Sequence, residues 1–287
     1  MTGPDGVAVV DKPAGCTSHD VVARARRHLG TKKVGHAGTL DPDATGVLVV
    51  GLGRATRLLR YVTDLPKSYE GEVVLGVATS TLDAAGEVVA TADMAGVAPA
   101  DVRAAAAGMV GSLLQVPPMV SAVQVGGRRL HELAREGVEV EREARPVTVW
   151  RFDVDAEVEP GVFRVAVECS SGTYVRSLAA DLGTALGGVA HLRHLRRTAV
   201  GAFTEDRARP VEELELLPPL AAVGHLAPVA VDEEVAALVR TGRRLDRDGA
   251  APFPGDGPWA VVAPDGSLLA VYRADGDRAR PDVVLAG

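Results

Sequence analysis

Residues 34 to 56, VGHAGTLDPDATGVLVVGLGRAT, leave the backbone few choices. Three glycines and an Asp-Pro step in the first half resist any regular element, so a polar loop is predicted from Thr31 to Gly46. VLVVGLG is apolar without a break, as a strand buried on both faces requires. A loop ending at such a strand can present a carboxylate, Asp41 or Asp43. Asp41 before Pro42 fits equally well a turn residue bonding its own backbone. The loop alone leaves both readings open. GLGRAT opens like a dinucleotide fingerprint, yet it lacks the third glycine and the acid that should follow a βαβ unit.

Around this run the pattern is mixed. GVAVVDKP predicts a strand, and Ser18 is the expected cap of a helix over HDVVARARRHL that Gly30 ends. ATRLLRYV predicts a helix. KSYEGEVVLGVAT predicts a strand with Tyr69, Gly71, Val73, Leu75 and Val77 on one face, and Lys67 shares the side of Tyr69. An alanine-rich helix is predicted over about 100 to 114, stopping at Pro117-Pro118, then a short basic helix in RRLHELAREG ending at Gly137. RPVTVWRFDVDAEV and VFRVAVECS flank Glu159-Pro160-Gly161 as a hairpin. Beyond the apolar, Pro-rich ELLPPLAAVGHLAPVAV, a helix near Asp232 to Arg240 and a hairpin about Asp265-Gly266 make a small second unit. Strands and helices alternate without regular βαβ repetition, which indicates α+β.

The net charge of −7 argues against a uniformly basic nucleic-acid binder, so any RNA surface must be local. Residues 11 to 60 hold nine Lys/Arg against four Asp/Glu, and 170 to 210 six against three, whereas 228 onward holds seven against ten. Arginine outnumbers lysine 27 to 4, which reflects a G·C-rich genome and carries no functional meaning. Neither an apolar run of 18 residues nor a leader-like N-terminus is present, so a cytoplasmic protein without a membrane span is expected. Cys16 and Cys169 form no metal-ligand cluster, and no metal site is expected.

DKPAGCTSHDVV (11 to 22), GHAGTLDPDATGVL (35 to 48), KSYEG (67 to 71), VPPMVSA with GRRLHELAREG, CSSGTYVRSLAADLG (169 to 183) and HLRHLRRTAVGAF (191 to 203) resemble, in order, the blocks of the TruB-type tRNA pseudouridine synthases. The resemblance spans about the first 205 residues. It implies the pseudouridine synthase fold, α+β with a mixed, mainly antiparallel sheet, and a stand-alone isomerase acting on uridine 55 in the T-loop of tRNA. On it Asp41 is the essential carboxylate, Asp43 has no catalytic role, and Arg176 is the partner of Asp41. His36 fills the gap left by the displaced base, Tyr69 stacks on the target uracil, and Tyr174 and Leu195 contact the base. Lys67, beside Tyr69, completes the substrate-binding candidates. Without the resemblance His36 reads equally as a loop histidine bonded to backbone.

Moving uracil from N1 to C5 attachment is redox-neutral, so no cofactor is expected. Extruding a base costs a few kcal/mol and stacking on an aromatic ring returns about 1–3 kcal/mol, so Tyr69 offsets much of that cost. Free Asp is already ionised at neutral pH; Arg176 would keep Asp41 charged and aimed once it is buried. Tyr174 and Arg176, two apart, face one site only if the segment is extended or just entering its helix. The expected organisation is a catalytic domain over 1–227, with an RNA-gripping insertion at about 124–146, and a small PUA-like domain over 228–287. Val120 and Gln124 stand where family members usually carry an aromatic and a lysine. The expected partner is the T-arm of tRNA, bound by a monomer with no obligatory protein partner. The absence of a long basic extension favours stand-alone action over the guide-RNA-directed relatives. The alternative from another class is a catalytically idle tRNA-binding or folding protein on the same scaffold.

Overall fold

The computed structural model describes residues 4–121, 124–130, 133, 136–138, 140–249 and 252–285. Among the described residues nine strands form one sheet: β1 (Gly6–Lys12), β2 (Val34–Ala37), β3 (Thr45–Leu52), β4 (Lys67–Leu75), β7 (Gly111–Gln115), β10 (Arg145–Glu159), β11 (Val162–Cys169), β12 (Ala190–Val200) and β13 (Phe203–Thr204). β5 (Val77–Thr79) and β6 (Val88–Thr91) make a separate ribbon, and β8 (Gln124–Val125) pairs with β9 (Arg128–Arg129). The order β1-β3-β12-β4-β11-β10-β7 is antiparallel except where β12 meets β3, with β2 added on β3 and β13 on β12. At that exception Gly46 is opposite Arg197 on one side and Lys12 on the other, so three strands converge just after the Asp41 loop.

Helices cover both faces. α1 (Ser18–His28) buries Val21, Val22 and Ala25 against Ala8, Val10, Leu48 and Val50. On the opposite face Val7, Val9, Val47 and Val49 meet Leu58, Leu59 and Val62, the last two from α2 (Leu59–Thr63). α3 (Pro99–Ala107) and α4 (Val175–Ala185) bring Val102, Ala106, Leu178 and Leu182 against Val149, Phe152, Val165 and Val167. This α+β arrangement agrees with the sequence expectation.

The last part of the chain forms a five-stranded sheet of β14 (Ala227–Ala230), β15 (Leu245–Asp246), β16 (Trp259–Val262), β17 (Leu268–Asp275) and β18 (Arg278–Val284), with α5 (Glu233–Arg240) capped by Asp232. Phe253, Trp259 and Tyr272 fill its own core. Its other face gives Ala260, Val271, Val283 and Leu285 to the same core as Val49, Leu58 and Leu59. Arg54 and Arg57 donate to the carbonyls of Leu285 and Val284, and Arg60 pairs with Asp282. Three of the nine cations in the basic stretch 11 to 60 are therefore spent fastening the acidic C-terminal sheet.

Several local expectations change. The cap of α1 is Thr17, in a reciprocal box with Asp20, and Ser18 is the first helical residue. The helix expected over 100 to 114 ends at Ala107, because Gly108 caps it and Gly111, at φ +122°, turns the chain into β7. Residues 34–37 of the expected loop pair with β3 as a short strand. ATRLLRYV divides into a 3₁₀ turn, Gly53–Leu58, and α2. Gly76, at φ +85°, separates β4 from β5. The basic helix expected in RRLHELAREG falls partly on residues 131–132 and 134–135, outside the described residues, as do parts of the expected insertion. No helix among the described residues is long and apolar enough to cross a membrane.

Candidate active site

The loop carrying Asp41 is pinned from three elements. The Ser18 hydroxyl accepts from Leu40 N at 2.9 Å and donates to its carbonyl at 3.2 Å. Lys12, fully buried on β1, donates to the carbonyls of Pro13, Pro42 and Ala44 at 3.0, 2.8 and 2.6 Å. Arg197 on β12 donates to the carbonyls of Gly38 at 3.1 Å and Val47 at 2.7 Å. The Asp41 carbonyl accepts from Ala44 N, so the Asp-Pro step does form a turn. That uses backbone only and leaves the carboxylate to face inward. The two readings of Asp41 are thus compatible.

Arg176 meets that carboxylate with two nitrogens, Nε at 2.9 Å from Oδ2 and Nη2 at 3.1 Å from Oδ1. Its other N–H groups donate to the carbonyls of Thr81 and Val120, both at 2.8 Å, and Nη1 stands 3.6 Å from Asp83. The Arg176 side chain is 4% exposed and that of Asp41 is 39% exposed. Burial pushes the Asp41 carboxyl above its ordinary range and Asp83 adds to the rise, while Arg176 and Lys12 oppose it. A two-pronged guanidinium contact fixes orientation as well as charge.

Asp41 and Arg176 line an open cavity of about 250 Å³ together with Lys67, Tyr69, Tyr174, Leu195 and Arg197. Tyr174 is the extended residue before α4 and Arg176 the second residue within it, which meets the geometric condition for both to face one site. Gln115 grips the Tyr174 backbone at both ends, accepting from its N–H at 2.7 Å and donating to its carbonyl at 3.1 Å. Leu195 reaches the cavity from a bulge, where the β12–β4 register shifts between Arg193 and Arg196 and His194 takes φ +53°. Tyr69 pairs with Val167 and Arg197 at the sheet centre. Burial raises its phenol above the ordinary value, and the neighbouring Arg197 guanidinium opposes that rise.

Lys67 donates to the carbonyls of Thr63 and Leu65, and burial, then Arg197, lower its ammonium to about 8. His36 does not line the cavity. It lies on β2 with its ring edge-on to His19 at 5.3 Å; its Nδ1 is buried without a hydrogen-bond partner, and burial lowers it to about 4. Sequence reasoning missed Lys12, Asp83, Gln115 and Arg197. A lysine at the end of an apolar strand is a visible signal for Lys12, and two adjacent arginines in a strand for Arg197. Gln115 had none, since its segment was read as helix. Among the described residues no group of three His, Cys, Asp or Glu is placed to hold a metal ion.

Residues 26–175 match the family model described as TruB family pseudouridylate synthase (N terminal domain), residues 176–218 the tRNA pseudouridylate synthase B C-terminal domain, and residues 226–286 tRNA Pseudouridine synthase II, C terminal. The tRNA pseudouridine synthase B of Arthrobacter sp. is 48% identical over 295 residues, covering 98% of this chain and 96% of that protein. That of Nocardia farcinica is 48% identical over 289 residues, covering 98% and 93%. Among solved structures, an H/ACA RNP bound to a substrate RNA containing 2'-deoxyuridine includes a chain with TM-score 0.75 and 25% identity, covering 98% of this chain and 85% of that one.

Proposed function

The chain belongs to the TruB family of pseudouridylate synthases, and with that as premise we propose that it isomerises uridine 55 in the T-loop of tRNA to pseudouridine, with Asp41 as the essential carboxylate. That relatives spanning nearly the whole chain are tRNA pseudouridine synthases supports the tRNA substrate and the isomerase activity. The observation that carries the site assignment is the two-pronged contact of Arg176 with Asp41 at a cavity walled by Tyr69, Tyr174 and Leu195.

In this reading the uridine leaves its stack and its uracil lies against Tyr69, with Tyr174 and Leu195 bounding it and Asp41 beside the nucleotide. Arg176 is a positioning residue: it aims the carboxylate and holds it ionised against burial and against Asp83. An ionised carboxylate in a confined site serves addition to the base, attack on the sugar or removal of a sugar proton alike. His36, outside the cavity, fits the role of occupying the place the base vacates. We assign residues 1–227 to the catalytic domain and 228–287 to the small C-terminal domain. The protein acts as a monomer in the cytoplasm without a guide RNA, protein partner or cofactor.

The test is release of the C5 hydrogen from a T-arm hairpin containing one uridine at the target position. Release that disappears when that uridine is replaced by cytidine supports the assignment. Release from other positions, or RNA binding without any release, overturns it, the latter in favour of an idle binder.

A further inference from the structure

The cavity lining carries charge of both signs. Asp41 lines it and is paired with Arg176, which also stands near Asp83 outside the lining. Lys67 and Arg197 add two positive charges with no carboxylate ion pair to either among the described residues, although Asp64 acts on Lys67 from farther off; their N–H groups go to carbonyl oxygens of Thr63, Leu65, Gly38 and Val47, and Arg197 also bonds the Tyr69 side chain. Lys67 is 5% exposed and Arg197 1%. The two converge: the position a Cβ would take on Gly38 is 3.6 Å from Arg197 Nη1 and 4.0 Å from Lys67 Cε. In the sheet Arg197 is opposite Tyr69, and Val200 opposite Lys67. Both cations therefore lie beside the ring proposed to carry the uracil.

Burying a cation without a counter-charge is costly, and carbonyl groups satisfy its donors without cancelling its charge. Bracing a loop needs donors only, and neutral ones would serve. Two cations without ion-paired carboxylates in the lining of a cavity form a preorganised site for negative charge.

We propose that Lys67 and Arg197 stabilise the anion that uracil becomes when its bond to the sugar breaks. This rests on the pseudouridine synthase reading above. When C1′–N1 breaks, its electron pair leaves on N1 and spreads over the ring to O2, O4 and C5. The electron-deficient C1′ stays with the sugar. Bonding C5 to C1′ places a ring electron pair in the new bond; the proton lost from C5 is matched by one gained at N1. The negative charge of the broken state thus develops on a ring that lies beside the two cations. With its ammonium near 8, Lys67 still carries most of its charge at neutral pH.

The experiment compares wild-type protein with Lys67→Met, Lys67→Arg and Arg197→Gln on two T-arm hairpins, one with uridine and one with 5-fluorouridine at the target. Fluorine makes the uracil anion more stable and a better leaving group. Single-turnover rates are read from nuclease digests as the carbon-linked nucleoside forms, which on the 5-fluorouridine hairpin keeps fluorine at C5 and takes up water across C6 and N1 because C5 has no proton to lose, and hairpin affinity is measured alongside. Expected for Lys67→Met and Arg197→Gln is a loss on the order of 100-fold with uridine, unchanged affinity, and a loss at least several-fold smaller with 5-fluorouridine. Lys67→Arg should recover most of the rate. The ratio of the two rates within one preparation is independent of how much of a variant folds. Equal losses on both hairpins, or no loss, would overturn the proposal and leave Lys67 and Arg197 as braces. A wild-type protein inactive on the uridine hairpin would instead sink the function reading, and this inference with it.

Discussion

Replacing Arg176 by lysine keeps a positive charge within reach of Asp41 and removes the fork. The guanidinium hydrogen-bonds four acceptors, both Asp41 oxygens and the carbonyls of Thr81 and Val120, and stands 3.6 Å from the Asp83 carboxylate. An ammonium has three N–H groups on one atom, so at least one of the four acceptors is abandoned. At about 1.5–3 kcal/mol for a hydrogen bond involving a charged group, and with water able to reach the partly exposed Asp41, unfolding free energy should fall by roughly 2 kcal/mol. A misaimed carboxylate should lower single-turnover C5-hydrogen release by about 100-fold, with hairpin affinity little changed. Arg176→Met separates charge from aim. It leaves Asp41 and Asp83 without the guanidinium they share, with only Lys12 still opposing the rise, which moves the Asp41 carboxyl further above its ordinary value. Since the reaction needs the ionised form, activity is lost as pH falls through that pKa. The acid limb of the rate profile should therefore move to higher pH in Arg176→Met and stay nearer its original place in Arg176→Lys. Urea melts and a pH–rate series measure both effects. Normal turnover in Arg176→Lys, with binding that weakens steeply with added salt, would make Arg176 a phosphate contact and refute the pairing argument.

Asp41→Asn should abolish turnover while leaving the melting temperature and hairpin affinity close to wild type; appreciable activity would shift the role elsewhere, first to Asp43. Tyr69→Phe keeps the ring face and should retain binding and part of the turnover, whereas Tyr69→Leu should bind but turn over far more slowly, as single-turnover rates would show. Gly46→Ala places a Cβ 2.2 Å from the Arg197 carbonyl oxygen at φ +96°, so the β3–β12 junction must open. A stability loss of at least 2 kcal/mol in a denaturant melt is expected, from the left-handed conformation together with the lost pairing. Removing residues 228–287 strips Val271, Val283 and Leu285 from a core they share with Val49 and Leu58, so the truncated protein should melt well below the full chain or aggregate. A truncation as stable as the full chain would show that this shared core contributes little.

The sequence made the α+β class, the hairpin of β10 and β11, both α1 and α5, and the tight loop at Asp41 legible, because each is written in local periodicity and in Gly, Pro or capping residues. Asp41 and Arg176 are 135 residues apart, and no local pattern joins them; the motif resemblance supplied that pair. The helix read through Leu114 failed because alanine propensity said nothing of the glycine at 111 that turns the chain, or of the partner strand awaiting it. Asp83 and Gln115 were invisible for a related reason. Each acts on a residue brought close only by the sheet order. The charge count along the chain located a basic stretch, but not that Arg54, Arg57 and Arg60 turn away to the C-terminal strand.

The fastening of the Asp41 loop by Ser18, Lys12 and Arg197 decides which molecule does the moving. A helix start and two strands hold it, so its shape is fixed during folding and does not wait for RNA to arrive. The carboxylate behaves as a fixed post. In the proposed reaction the large displacements, swinging the nucleotide out and turning the freed ring to present C5, fall to the nucleic acid. How easily a given RNA yields that nucleotide then becomes a criterion of selection in its own right, and the enzyme can discriminate among uridines by the mechanics of the loop that carries them.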